Sequence, residues 1–429
     1  MVERPYLPRM HSKNSLLDEL SWRGMVYQHT DGLPDALATG SVSAYAGFDP
    51  TASSLHVGHL VPVMGLAHLQ RSGHRPIALV GGGTGMIGDP SGKNAERQLM
   101  SAEEIEANAK AIGKQLERFL DFSGPSAARM RDNAAWLRPL KAVEFMRDVG
   151  KHFTVNYMLA KDSVQSRIEG GISFTEFSYM LLQAYDFLEL SRREGVTLQI
   201  GGSDQWGNIT AGLELIRRSD GRTAHALTMP LVTTASGTKF GKTEAGAVWL
   251  DATLTSPYKF YQYWINVDDR DAGKYLRLFT LISRDEIEAL DEQITSAPEK
   301  REAQQALARD MTARVHGEDA AKVAEEVSLV LFGKADPTSL AEPVLRALSQ
   351  EVPFAESRET PSLLDAMVTL KLAASKGAAR RLIEQGGVTL NGQRAGADTD
   401  LAATKALAGG YHLLRKGARD YGLIRTEPR

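Results

Sequence analysis

Three apolar runs that end at or near glycine, each followed by a helical stretch, most constrain what this chain can fold into. Ser43-Ala-Tyr-Ala-Gly-Phe48 reads as a strand, and Leu55 to Arg71 then reads as a helix with Leu60, Met64 and Ala67 on one face. Pro76-Ile-Ala-Leu-Val80 is a short buried strand that ends in Gly81-Gly82-Gly83. Val196-Thr-Leu-Gln-Ile200 is another, ending in Gly201-Gly202. Strands separated by helices cannot close as tight hairpins, so such βα units stack into a parallel sheet, an α/β fold. Ligands of such sheets bind beyond the carboxyl ends of the strands, where the glycines lie.

This pattern occupies about the first 240 of 429 residues. From Asp251 to Phe332 the chain reads as helical and charged, with Glu302 to Val315 solvent-laced. Val352 to Pro361 has the composition of a linker. The tail from Ser362 to Arg429 carries a net charge of +5 within a chain of net charge −3, so the body carries −8. A basic appendage on an acidic body is either a solvated surface or a nucleic-acid contact module. There is no cysteine, which excludes disulfides, thiolate metal sites and a thiol nucleophile. The start, MVERPYLPRM, lacks the apolar segment of a secretory signal, and no apolar run reaches the ~18 residues of a membrane span. The expected location is the cytoplasm, with no membrane partner.

Five segments carry the chemistry. Asp49-Pro-Thr51 leads to His56-Val-Gly58-His59 at a strand-to-helix turn, where backbone N–H groups and the helix dipole favour an anion. His56 and His59 then serve as paired imidazole donors to phosphate, as half of a metal site, or as surface histidines; Gly58 leaves the backbone open to a flat ligand. Gly83, Gly85 and Gly88 spell G-x-G-x-x-G after a strand. Asp89-Pro90 follows where the dinucleotide helix should run, which argues for a glycine loop with a buried Asp89 instead. Gly237-Thr-Lys239-Phe-Gly-Lys242-Thr243 ends like a P-loop but has Ser236 where the first glycine should be. Its two lysines and hydroxyl suit a triphosphate, or a solvated turn. Tyr179, Gln183 and Asp186 fall on one helix face. Gly202, Asp204 and Gln205 sit in GGSDQWGN at a strand end, where a carboxylate takes a ribose diol or caps a helix.

Their order along the chain resembles the class I aminoacyl-tRNA synthetases. HVGH resembles the "HIGH" motif and Lys239–Thr243 the "KMSKS" motif. Together with Tyr45-Ala-Gly-Phe-Asp-Pro-Thr51, GDPSGK, the Tyr179/Gln183/Asp186 stripe and GGSDQWGN, they resemble the bacterial tyrosyl-tRNA synthetases. The tail, with ARRLIEQGGVTLNG from Ala379 and LLRKGAR from Leu413, resembles S4-like RNA-binding modules.

The resemblance implies a Rossmann-like catalytic domain over 1–245, with a dimer-interface insertion at about 133–165. An α-helical anticodon-binding domain over 246–350, a linker at 351–361 and an α+β S4-like domain over 362–429 would follow. It implies ATP-dependent formation of tyrosyl-adenylate, then transfer to the tRNA terminal ribose, with ATP bringing Mg²⁺ and no protein metal site. His56, His59, Thr51, Lys93, Arg97, Lys239, Lys242 and Thr243 would act on the phosphates; Asp49, Gly58, Gly202, Asp204 and Lys242 would bind ATP. Asp89, Tyr179, Gln183 and Gln205 would meet the tyrosine backbone groups, and Tyr45 and Asp186 its phenol. A buried polar pair left unpartnered by phenylalanine discriminates strongly, and tyrosyl-tRNA synthetases are the usual illustration. Arg217, Arg218, Arg380, Arg381, Arg415, Lys416 and Arg419 would contact tRNA. The partner would be a second copy, joined through the region around Trp136, Phe145, Met146, Phe153 and Tyr157. A tryptophan-specific synthetase, a nicotinamide oxidoreductase and a non-catalytic RNA-binding protein are the alternatives.

Overall fold

The computed structural model describes residues 15–91, 100–238, 240–243 and 246–426; Lys93, Arg97, Lys239 and the side chains of Lys242 and Thr243 lie outside the described residues. Two compact units separate by packing. One holds the chain up to Thr255 with Ile265–Val315, the other Ser256–Trp264 with the chain from His316 onward.

The first unit is built on β1 (Gln28–His29), β2 (Ser43–Phe48), β3 (Arg75–Val80), β4 (Arg129–Asp132), β5 (Val196–Gly202) and β6 (His225–Met229). They lie in the order β1-β6-β5-β2-β3-β4. β2 to β6 run parallel, and β1 is antiparallel at the edge. The chain steps outward from β2 to β4, then restarts at β5 on the other side of β2. Loops leaving the carboxyl ends of β2 and β5 therefore diverge, and a crevice opens between them. A short antiparallel pair, β7 (Lys242–Thr243) and β8 (Gly246–Ala247), follows.

Alternation along the strands decides what covers each face. Tyr45, Ile77 and Leu79 share one core with the helices Phe174–Glu194 and Trp206–Asp220. Those two helices cross closely because Gly212 has no Cβ; one built there would lie 2.9 Å from the Phe187 ring. The opposite face is covered by the helix Leu60–Arg71, whose Gly65 accommodates Met229 and Ile200. Leu60, Met64, Leu66 and Leu69 of that helix are fully buried, each worth about 2 kcal/mol as an upper figure.

Three expectations change. The helix expected from Leu55 begins at Leu60, after a 3₁₀ turn Val57–His59, because His56 is extended and its ring accepts the Gly58 N–H. Pro62 then falls in the first turn, where its missing N–H has no intrahelical acceptor to lose. The helix Glu302–His316 is not solvent-laced: Leu307, Ala308, Met311 and Val315 bury one stripe. It and its neighbours Asp269–Phe279 and Arg284–Ser296 group with the parallel sheet rather than with the chain beyond 316, so the helical domain expected over 246–350 is divided.

The second unit has a five-stranded sheet of β9 (Phe354–Ser357), β10 (Val388–Leu390), β11 (Gln393–Arg394), β12 (Tyr411–Lys416) and β13 (Asp420–Thr426), ordered β11-β10-β12-β13-β9. β9 lies in the segment expected as a linker; alternating side chains let it pair parallel with β13 at the edge. One sheet face packs on the helices Leu363–Thr369 and Lys376–Glu384. Tyr411, Leu413, Tyr421 and Leu423 pack instead with Val327, Val330 and Val344, so the tail shares a core with the helices before it.

Candidate functional site

The crevice between β2 and β5 gathers most of the predicted residues. Asp49, the first residue after β2, accepts Thr84 Oγ1–H at 2.7 Å and Tyr179 O–H at 2.8 Å. Thr84 Oγ1 in turn accepts Asn133 Nδ2–H at 2.9 Å. Asn133 also donates to Asp186 Oδ2 at 2.8 Å, and Trp136 Nε1–H donates to Asp186 Oδ1 at 2.7 Å. One continuous chain of hydrogen bonds thus runs from Tyr179 to Asp186. The Asn133 side chain is held by its Oδ1, which accepts the Gly83 N–H at 2.7 Å.

At the end of that chain Asp186 is almost wholly buried. Burial pushes its carboxyl up to about 8, with the Asp49 and Asp132 carboxylates adding to the shift and the Asn133 and Trp136 hydrogen bonds opposing it. Tyr45 is also fully buried, and its hydroxyl has no hydrogen-bond partner among the described residues. Burial, then the Asp186 charge, raises the Tyr45 phenol well above its ordinary value. Gln199, paired in register with Tyr45 across β2 and β5, buries an Oε1 that likewise has no partner among the described residues. Unpartnered buried polar atoms cost free energy unless a ligand meets them.

A second network lies nearer the opening. Gln205 Nε2 donates to Asp89 Oδ2 at 2.6 Å, the Ser91 N–H to Asp89 Oδ1 at 2.9 Å, and Asn208 Nδ2 to Gln183 Oε1 at 3.0 Å. Asp89, Gln183 and Gln205 are half-buried, suited to the polar end of a small molecule.

At the strand-to-helix turn, the His56 and His59 rings stack with centroids 3.9 Å apart, because residues three apart eclipse on a 3₁₀ turn. His59 Nδ1 accepts the His56 N–H at 3.2 Å and His56 Nδ1 accepts the Gly58 N–H at 3.0 Å. Each neutral ring is therefore fixed with its proton on Nε2, as a donor. Gly241, with φ +80°, closes on this turn: a Cβ there would lie 2.8 Å from Val57 and 3.3 Å from the Gly58 nitrogen. Only glycine permits that approach. Val248 N–H to Gly241 O at 3.1 Å and Val57 N–H to Val248 O at 3.0 Å sew the two segments together. The lysine-bearing segment and the histidine turn, over 180 residues apart in sequence, thus meet. The Asp204 carboxylate lies over Gly202, 2.5 Å from where a Cβ would stand.

Comparison with known proteins identifies the family. The family model "tRNA synthetases class I (W and Y)" matches residues 37–333, and that of the "Tyrosine--tRNA ligase SYY-like C-terminal domain" matches 345–424. The tyrosine--tRNA ligase of Anaeromyxobacter dehalogenans is 56% identical, covering 96% of this chain and 99% of its own. That of Geobacillus stearothermophilus is 52% identical over the same shares. The chain belongs to the tyrosyl-tRNA synthetases. Among solved structures, a C-terminally truncated mitochondrial tyrosyl-tRNA synthetase of Aspergillus nidulans is similar with a TM-score of 0.68 at 30% identity, covering 75% of this chain and 95% of its own. As a tyrosine--tRNA ligase, the protein uses ATP to activate tyrosine and charges tRNA with it. The tryptophan-specific, oxidoreductase and RNA-binding-only readings give way.

For a tyrosyl-tRNA synthetase, two placements differ from expectation. Asp49, expected to bind ATP, accepts hydrogen bonds from Thr84 and Tyr179 through its two oxygens. Trp136, Phe145 and Phe153, expected at a surface between copies, are buried core residues, and Trp136 belongs to the pocket. Thr84, Asn133 and Asn208 were not singled out from sequence, since no spacing ties them to Asp186 or Asp89. Arg217 and Arg218 are exposed and share the Glu214 carboxylate. Arg380, Arg381 and Arg419 are exposed, whereas Lys416 pairs with Asp420 at 2.9 Å and Arg415 lies over the Tyr421 ring.

The raised Asp186 carboxyl has a consequence for stability. Between its ordinary value of 3.8 and about 8, the folded protein holds a proton that the unfolded chain has released. The stabilisation is complete below the lower value and is lost as pH rises through the upper. Urea unfolding of the ligand-free protein should lose stability from pH 5 to pH 8 more steeply than that of Asp186→Asn, which cannot titrate. Equal pH slopes for the two proteins would refute this.

Proposed function

We propose that the crevice is the adenylation site and that the two networks divide the work. Tyr45 and Asp186 take the phenol, one donating and one accepting, while Asp89, Tyr179 and Gln183 take the ammonium group. Gln205 orients the tyrosine carboxylate. Asp49 positions Tyr179, and Thr84, Asn133 and Trp136 position Asp186. The carboxylate oxygen of tyrosine attacks the α-phosphorus of ATP; that P–O bond forms as the bond to pyrophosphate breaks. A terminal ribose hydroxyl of tRNA then attacks the tyrosyl carbonyl, and AMP leaves.

ATP enters with Mg²⁺ on its phosphates, as substrate. His56 and His59 donate from Nε2 to phosphate oxygens, with Thr51 beside them, and Asp204 over Gly202 accepts the ribose hydroxyls. Lys242, Thr243 and Lys239 meet the departing pyrophosphate, and Lys93 and Arg97 add positive charge. Catalysis is orientation together with fixed positive charge where negative charge develops. The observation that carries this reading is the seating of Gly241 on Gly58, which favours a single phosphate tail shared by the lysine segment and the histidines. Tyrosine-dependent exchange of labelled pyrophosphate into ATP tests it: loss with His56→Ala or Lys242→Ala is expected, and full retention in both would overturn it.

The second unit is proposed as the S4-like and anticodon-side contact to tRNA. Arg380, Arg381 and Arg419 are available to phosphates, while Arg415 and Lys416 hold the sheet and contribute charge. Reversing Arg380 and Arg381 to Glu should weaken tRNA binding and reduce the slope of log K against log salt by about 1 per lost phosphate contact. The adenylation rate should stay unchanged; an unaltered salt slope would refute the contact. Val143, Met146, Val155 and Phe174 are strongly exposed apolar residues around the 133–165 segment, and they support its pairing with a second copy. Sedimentation of Val143→Asp tests this: a dimer that persists would count against it.

A further inference from the structure

We propose that Asp271 is a positioning residue for the loop bearing Gly241 and Lys242, fixing where that loop presents its charge to the nucleotide. The inference rests on the reading that Lys242 serves the phosphates. Asp271 occupies the third position of the helix Asp269–Phe279 and is buried. An acid there ordinarily serves its own helix N-terminus. Here Asp271 Oδ2 reaches out of the helix and accepts the Ala235 N–H at 2.7 Å.

Ala235 is the second residue of a tight turn, closed by Gly237 N–H to Thr234 O at 2.8 Å. The turn is held further by Thr234 N–H to Thr238 O at 2.9 Å and by hydroxyl contacts among Thr234, Ser236 and Thr238. The same helix face grips the loop at two more points. Lys274 Nζ donates to Thr233 O at 3.3 Å, and Phe240 stacks on Phe279 at 4.8 Å with its edge against Tyr275 at 5.0 Å. Residues 271, 274, 275 and 279 recur at helical spacing, so one face carries the whole loop. One residue beyond Phe240, Gly241 is seated on the histidine turn.

The far end of this helix is itself anchored. The buried Arg23, paired with Glu19, donates to Arg277 O and Thr280 O at 3.0 Å each and to Ile282 O at 2.8 Å. The loop is thereby strung between a fixed helix and the phosphate site. Of its two charge-assisted ties to the helix among the described residues, the Asp271 carboxylate's at 2.7 Å is shorter than the Lys274 ammonium's at 3.3 Å, and such a bond is stronger than a neutral one.

The test is a double-mutant cycle on the full-length protein. Asp271→Ala removes the acceptor, and Ala235→Pro removes the donor at a turn position that proline favours, leaving the helix untouched. Each should lower the tyrosine-dependent adenylation rate or raise the KM for ATP, about tenfold in kcat/KM for ATP, while tyrosine affinity stays within about twofold. The double variant should cost no more than either single, because both delete one interaction. Asp271→Asn, which keeps an acceptor, should recover part of the loss. Unchanged kcat/KM for ATP in the two single variants, additive losses in the double, or an equal fall in tyrosine affinity would each overturn the proposal. If Asp271→Ala does not fold, Ala235→Pro and Asp271→Asn decide it. If Lys242→Ala leaves adenylation unchanged, the reading of the loop has failed instead.

Discussion

Asp186→Ala should abolish tyrosine-dependent pyrophosphate exchange, with kcat/KM for tyrosine falling by at least about a thousandfold. The Asp186 carboxyl is the acceptor proposed for the phenolic hydroxyl, and a hydrogen bond contributes about 0.5–1.5 kcal/mol net. Its removal also strands one Asn133 Nδ2–H and the Trp136 Nε1–H, both of which donate to it in a buried site. A stranded buried donor costs about 1–3 kcal/mol, so the phenol slot loses both its acceptor and its frame. Isothermal titration with tyrosine measures the effect, and a melting curve shows whether the variant is folded. Tyrosine affinity equal to that of the unaltered protein would place the phenol elsewhere.

Lys242→Ala is the second large effect, of a different kind. The adenylation rate should fall about a hundred- to a thousandfold, as when one preorganised donor to developing negative charge is removed. Tyrosine affinity should stay unchanged, since the amino-acid pocket draws on residues from β2, the glycine loop, and the helix Phe174–Glu194, none of which the substitution touches. Single-turnover formation of tyrosyl-adenylate, with tyrosine saturating, isolates the step. A loss that appears as weakened tyrosine binding would refute the role given to Lys242.

The contrast between these residues mirrors what sequence could and could not reveal. β2, β3 and β5 are apolar runs ending in glycine, and both the parallel sheet and its ligand-binding end follow from them. HVGH and GGSDQWGN were legible because turn chemistry is local. β4 reads Arg-Met-Arg-Asp, with no apolar signal; it is a strand because β3 offers it a free edge. That pairing carries Asn133 and Trp136 to Asp186 from about 50 residues away, and no periodicity reports such a meeting. Asp271 was hidden for the same reason: an acid in a first helical turn looks sufficient unto its own helix. β9 reads as part of a linker because the flanking Pro353 and Pro361 and the neighbouring charges outweigh a four-residue alternation.

The continuous run from Tyr179 through Asp49, Thr84 and Asn133 to Asp186 bears on how the enzyme can be retuned. Its members leave little slack, for each polar atom is already committed to the next. Accepting an amino acid with a different side chain would require exchanging several of these residues together, and libraries that vary one position at a time should come back nearly barren. Fidelity in such a protein is a property of the lattice of side chains, inherited as a block.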